Sequence, residues 1–200
     1  MIQNLKILTV LAIAGMALSA NGQQQVMVKP GGVKIKGVEK QAQKTPNFQA
    51  GDVSTKKVPN PREWLEIEVE FEVDGASPRD GVLSELLFRY YVGMKDERGN
   101  PVALTGDANY VNVIAGEEYY SAMYVPPSTL GKITGEFRRF NANSVAAVGV
   151  EIFYNGVLVG KESNAGDFWT KMPTQAGVLS REKTPFALLW IDRYPEVKAN

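Results

Sequence analysis

Between Trp64 and Asp74 the chain reads WLEIEVEFEVD, with Leu65, Ile67, Val69, Phe71 and Val73 at alternate positions and Glu66, Glu68, Glu70 and Glu72 between them. Alternation at period two puts the apolar set on one side of a pleated strand and the acids on the other, and no helix can do the same. Carboxylates held close together can share a proton or a cation. Alternate residues on one strand, however, lie roughly 6.6–7 Å apart, too far for one ion to gather the row without neighbouring strands. The row is therefore expected to be the solvated face of a sheet that is wet on one side, where the charges also oppose edge-to-edge aggregation.

Further strands follow from the same logic. Val82 to Lys95 contains LLFRYYVGM, nearly continuously apolar, as in a central strand. Tyr110–Ile114, Glu118–Val125 and Ile133–Phe140 are strand-like, with Pro126-Pro127-Ser128 breaking the series and opening a helical turn over Thr129–Lys132. GASPRDG (75–81) and DERGNP (96–101) supply turn residues. Asn155-Gly156 lies between two apolar runs and predicts a hairpin with a type I′ turn. Phe186–Tyr194 reads as a last strand. About eight short strands with no convincing amphipathic helix define an all-β chain, an antiparallel β-sandwich.

Outside this region the chain changes character. Ile7–Leu18 is an apolar run after Lys6, followed by Ala20-Asn21-Gly22, the arrangement of a secretory signal peptide over residues 1–22 with cleavage after Gly22 or, alternatively, Ala20. The run is too short to span a bilayer comfortably, and no second candidate follows. Residues 23–61 are polar and punctuated by proline, apart from a strand-like Val33–Val38, and read as an extended N-terminal arm lying along the domain or a neighbouring subunit. The sandwich is assigned to residues 62–200. The protein is expected to be exported, to the periplasm, the outer surface or the medium.

Composition removes several chemistries. Lys plus Arg and Asp plus Glu number 22 each, so no strong field selects nucleic acid. Cysteine and histidine are both absent, which removes disulfides, thiolate nucleophiles and the commonest proton shuttle. No GxSxG elbow and no phosphate-binding glycine loop is present. No catalytic, cofactor or metal residue is assigned, and the chain is read as a non-enzyme. Asp96, Glu97, Asn100, Asp107 and Asn109 gather oxygens in one apparent loop, but their spacing does not match a calcium-binding EF-hand and turn formation explains them. Tyr90-Tyr91, Tyr119-Tyr120, Tyr124 and Phe168-Trp169 suggest a stacking platform for sugar rings, against which stands their ordinary use as strand core. Trp169, in a polar stretch, is the aromatic to test. Lys132, Arg138 and Arg139 read as a solvated surface.

The leader, the polar arm, WLEIEVEFEVD, SAMYVPPSTLGKI and VGVEIFYNGVLVG together resemble the small secreted immunoglobulin-like proteins found in bacterial type IV pilus-associated settings. The resemblance covers roughly residues 62–194 and is one of overall pattern. The chain differs from antibody-type domains in lacking both cysteines. It differs from pilins in that its apolar run precedes the expected cleavage site and polar Gln23 follows. What the resemblance implies is an accessory or surface role with protein partners, pilus components or the protein itself, and a homo-oligomer through the N-terminal arm. A glycan-binding sandwich using exposed aromatics is the alternative.

Overall fold

The computed structural model describes residues 25–48 and 59–198; the expected signal peptide lies outside them. In chain order the strands are β1 (Met27–Val28), β2 (Val33–Lys44), β3 (Glu63–Val73), β4 (Ala76–Ser77), β5 (Val82–Leu83), β6 (Leu86–Lys95) and β7 (Pro101–Val111). Then come β8 (Val113–Ile114), β9 (Glu118–Val125), helix α1 (Pro127–Thr134), β10 (Ala147–Tyr154) and β11 (Val157–Ser163). The chain closes with β12 (Thr174–Ala176), β13 (Leu179–Ser180) and β14 (Glu196–Val197).

Two sheets carry the fold. One runs β11-β10-β6-β7-β12, with β14 also on β7; the other runs β13-β9-β3-β2. The pairing is antiparallel except for β12, which joins β7 in parallel. Their facing sides enclose one core, the dry interior of an all-β sandwich. Leu65, Ile67, Val69 and Phe71 of β3 are fully buried there, as the alternation requires. Phe71 meets Phe88 of the opposite sheet with ring centroids 4.7 Å apart. A polar knot across the interior is satisfied: Ser121 receives the Tyr90 hydroxyl at 2.6 Å and lies 2.7 Å from that of Tyr110.

Several sequence expectations hold in detail. Glu118–Val125 is a strand, and the hairpin β10–β11 turns at Asn155 (φ +48°) and Gly156 (φ +78°), the backbone a type I′ turn demands. Strand β2 runs from Val33 to Lys44, well past Val38, and pairs with β3 from end to end, so this part of the N-terminal segment supplies an edge strand to the chain's own sheet.

Three expectations are corrected. Ile133–Phe140 is not a strand: Ile133 belongs to α1, whose amide ladder closes at Gly135, and Phe137–Arg139 follow as exposed chain. Residues 101–109, read as loop and turn, are the body of β7, paired with β6 from Pro101 to Tyr110. Phe186–Tyr194 is not a strand either. Beside β9 the edge is taken by β13, so the following chain crosses the sheet face as turns instead of extending the ladder.

Candidate interaction surface

The outer face of the four-stranded sheet is where the glutamate row emerges, and it is not uniformly wet. Tyr124 and Gln41 are the cross-strand neighbours of Glu66. From above, Phe186 stacks on Tyr124 (4.5 Å, 6° between planes) and meets Trp64 edge-on at 5.7 Å. Glu66 is thereby sealed to 2% exposure, which corrects its assignment to a solvated face. Burial of a carboxylate is tolerable only with donors present. Glu66 has them: the Tyr124 hydroxyl donates to Oε2 at 2.7 Å, while Gln41 and Gln43 donate to Oε1 at 2.5 and 3.4 Å. Burial, followed by this contact, drives the Tyr124 hydroxyl well above its ordinary pKa.

One pair further along, Glu68 holds the end of the covering segment. Arg193 grips it in a two-point contact, Nε to Oε2 at 3.1 Å and Nη2 to Oε1 at 2.6 Å, and the Tyr194 hydroxyl adds a third bond at 2.7 Å. Burial pushes the Glu68 carboxyl up, but the hydrogen bonds from Arg193 and Tyr194 outweigh it and hold the group below its ordinary value. Glu72 and Glu118 share Lys36, at 3.0 and 2.7 Å. The row therefore grades from a buried, neutrally hydrogen-bonded acid to exposed ion pairs, and it does not converge on one point.

The covering segment, residues 180–194, is organised by Arg181. Its guanidinium donates to the carbonyls of Ala187 (3.0 Å) and Leu189 (2.9 Å), lies 4.8 Å from the centre of the Tyr194 ring, and is almost fully buried. The turn this builds points Leu188, Trp190 and Ile191 outward, 71%, 50% and 57% exposed among the described residues. Trp190 adopts φ +51°, a conformation bulky residues rarely take. Beside these side chains lies an open hollow of about 720 Å³, floored by Tyr120 with the Arg193 guanidinium 3.5 Å from the centre of its ring.

The other sequence candidates fall elsewhere. Trp169 is 8% exposed, stacked on Tyr91 at 4.2 Å, and is no platform; Tyr90 and Tyr124 are buried, and Phe168 packs beside Trp169. The acidic and amide residues read as one loop are divided. Asp96 closes its own turn through Arg98 and Asn100, Asp107 is paired two-point with Arg89 in the sheet, and Asn109 bonds Glu85. Among the described residues no group of three or more Asp or Glu is placed to hold a metal ion, and no helix is long and apolar enough to cross a membrane. Lys132, Arg138 and Arg139 are exposed. The outward turn at Leu188–Ile191 was missed because its apolar run looks like a strand. The signal available was the pair of prolines, Pro185 and Pro195, that bound it.

One protein-family model matches residues 24–200 of the chain. The chain belongs to this family. The match takes in the polar N-terminal segment as well as the sandwich, in keeping with the place of β2 in the sheet. A crystal structure of a protein from Akkermansia muciniphila is similar to this chain with a TM-score of 0.74 and 27% identity, covering 88% of this chain and 95% of the other. No curated protein matches the chain.

Proposed function

We propose that this family member is an exported, non-enzymatic interaction module with an immunoglobulin-like arrangement, associated with pili, that docks other proteins through the surface built by residues 180–194. The observation that carries the reading is the outward presentation of Leu188, Trp190 and Ile191 on a turn fixed from behind by Arg181 and from the side by Arg193 on Glu68. Exposed large apolar groups grouped on one rigid element mark interaction sites, whereas single ones are ordinary. Family membership and the overall resemblance to type IV pilus-associated proteins support the setting. Of the aromatics named for the glycan alternative, Tyr90, Tyr91, Tyr124, Phe168 and Trp169 pack inside, and Tyr119 and Tyr120 alone stay partly exposed. A photo-crosslinking side chain placed at Leu188 in intact cells tests the reading. Covalent adducts to pilus or other surface proteins are the expected result; capture of soluble glycan-processing enzymes alone, or of no protein, contradicts it.

A further inference from the structure

Strands β2 and β11 are the free edges of the two sheets, and they meet at one side of the sandwich. They touch where Gly160 faces Val33: a Cβ on that glycine would lie 3.0 Å from the Val33 carbonyl oxygen. Past the bulge at Lys36 the edges part and leave a cleft of about 400 Å³, within the range of small-molecule sites. Register explains its lining. Ile35 and Val38 lie opposite Phe71 and Val69, so they face the interior and, with Val148, give the cleft an apolar floor. Lys40 lies opposite Ile67 and Glu162 opposite Val150, so a cation from one sheet and an acid from the other enter the same cleft from its two sides. They do not pair with each other. Among the described residues the half-buried Lys40 ammonium has only the Val145 carbonyl, at 2.6 Å, and the Glu162 carboxylate has no partner. Inward-pointing charge on an edge deters the addition of a further strand, which argues against a long extended chain in this place. A short ligand that supplies both counter-charges meets no such barrier. Facing sheets lie about 10 Å apart, a span that the two charges of a free amino acid, borne by one carbon, do not bridge. An extended dipeptide, roughly 7 Å long, reaches across with a hydrogen bond at each end.

We infer that this cleft binds a dipeptide in zwitterionic form, its carboxylate on Lys40, its ammonium on Glu162, and its small apolar side chains on Ile35, Val38 and Val148. The cleft shares no lining residue with the hollow beside Leu188, so the inference stands apart from the docking reading. Calorimetric titration of the purified full chain with alanyl-valine tests it. Saturable binding is expected, weakened by about tenfold or more in Lys40→Met and in Glu162→Gln, because each leaves one charge of the ligand unpaired. Lys40→Arg keeps the cation and keeps binding; Leu188→Ser, on the other surface, leaves it unchanged. N-acetyl-alanyl-valine amide, which lacks both charges, binds more weakly than the free peptide by at least the same factor. Thermal melting without ligand checks the variants, and should either melt early, the free and blocked peptides compared on the unaltered chain still decide. A chain that takes up no alanyl-valine at millimolar concentration, that binds the blocked peptide equally well, or that is indifferent to both substitutions overturns the inference. Valine alone binding as tightly as the dipeptide overturns the length assigned to the ligand.

Discussion

Both outer sheet faces are roofed by chain that forms no long strand, but with opposite chemistry. Over the six-stranded sheet, Phe168 and Trp169 fill a depression formed by Tyr91, Ala103 and Ala147, with Met172 at its margin. Over the four-stranded sheet, Phe186 and Tyr194 cover Tyr124 and Ala122, and the same roof contains Glu66, Glu68, Arg181 and Arg193. The first is held by shape and dispersion, which depend on neither pH nor salt. The second is held by ionised groups whose hydrogen bonds must stay intact because the acids beneath them are shielded from water. An all-apolar roof can only cover. A roof with charged fastenings can also orient what it carries, and the exposed turn at Leu188–Ile191 is on that one.

The largest effect expected from this contrast is at Gly149. A Cβ there would clash with Trp169 Cζ3, so Gly149→Ala must displace the ring from its stack on Tyr91. Overpacking of this kind costs about 2–3 kcal/mol. Urea denaturation should show the loss, and tryptophan emission of the folded variant should shift to the red. A change below about 0.5 kcal/mol would mean that the apolar roof yields without penalty and that shape does not hold it.

Glu68→Gln addresses the charged roof. Losing the ionised acceptor for Arg193 should cost about 1–2 kcal/mol at neutral pH. The sign of the acid dependence follows from the depressed pKa of Glu68. A carboxyl that is more acidic folded than unfolded contributes fully above its unfolded pKa, and that contribution disappears as pH falls through the folded value. The stability gap between the wild type and Glu68→Gln should therefore close below about pH 4. Unfolding free energies of the two proteins compared across pH would show this. A gap that stays constant into acid would assign the effect to packing, and the two roofs would then be alike in kind.

How much of this was legible in the sequence depends on how local each cause is. The inward set Leu65–Val73, strand Glu118–Val125 and the Asn155-Gly156 turn follow from neighbouring residues alone, and the structure has them. Glu66 had the same local pattern as Glu70, yet one is sealed and the other is not, because Phe186 from the far end of the chain lies over one position only. Trp169 sits in a polar stretch and is buried because Gly149, distant from it in sequence, leaves room for its ring. Strand β7 was hidden by Asp107 and Asn109. Their polarity suggested a loop, although Asp107 only answers Arg89 across the ladder. Phe186–Tyr194 failed for the reverse reason: its apolar run promised a strand, but strand formation needs a vacant edge, and no run of residues records whether one exists.

The smallest expected effect separates an ion pair that fastens from one that decorates. The apolar roof has its own pair, Lys161 Nζ to Asp167 Oδ1 at 2.6 Å, with the ammonium also 5.6 Å from the centre of the Trp169 ring. Its length matches that of Arg193 to Glu68, so distance alone would rank the two equally. Exposure does not. The cations are alike, Lys161 keeping 35% and Arg193 42% of their side-chain surface in water, but the acids differ, 47% for Asp167 against 18% for Glu68. Water and salt screen an exposed pair, and its partners give up rotamer freedom to meet, so such pairs contribute about 0–1 kcal/mol. Asp167→Asn should accordingly change stability by less than about 0.5 kcal/mol, with the Trp169 emission unmoved, because the ring is held by Tyr91 beneath it. A loss as large as that of Glu68→Gln would show that charge fastens both roofs, and the distinction between them would collapse.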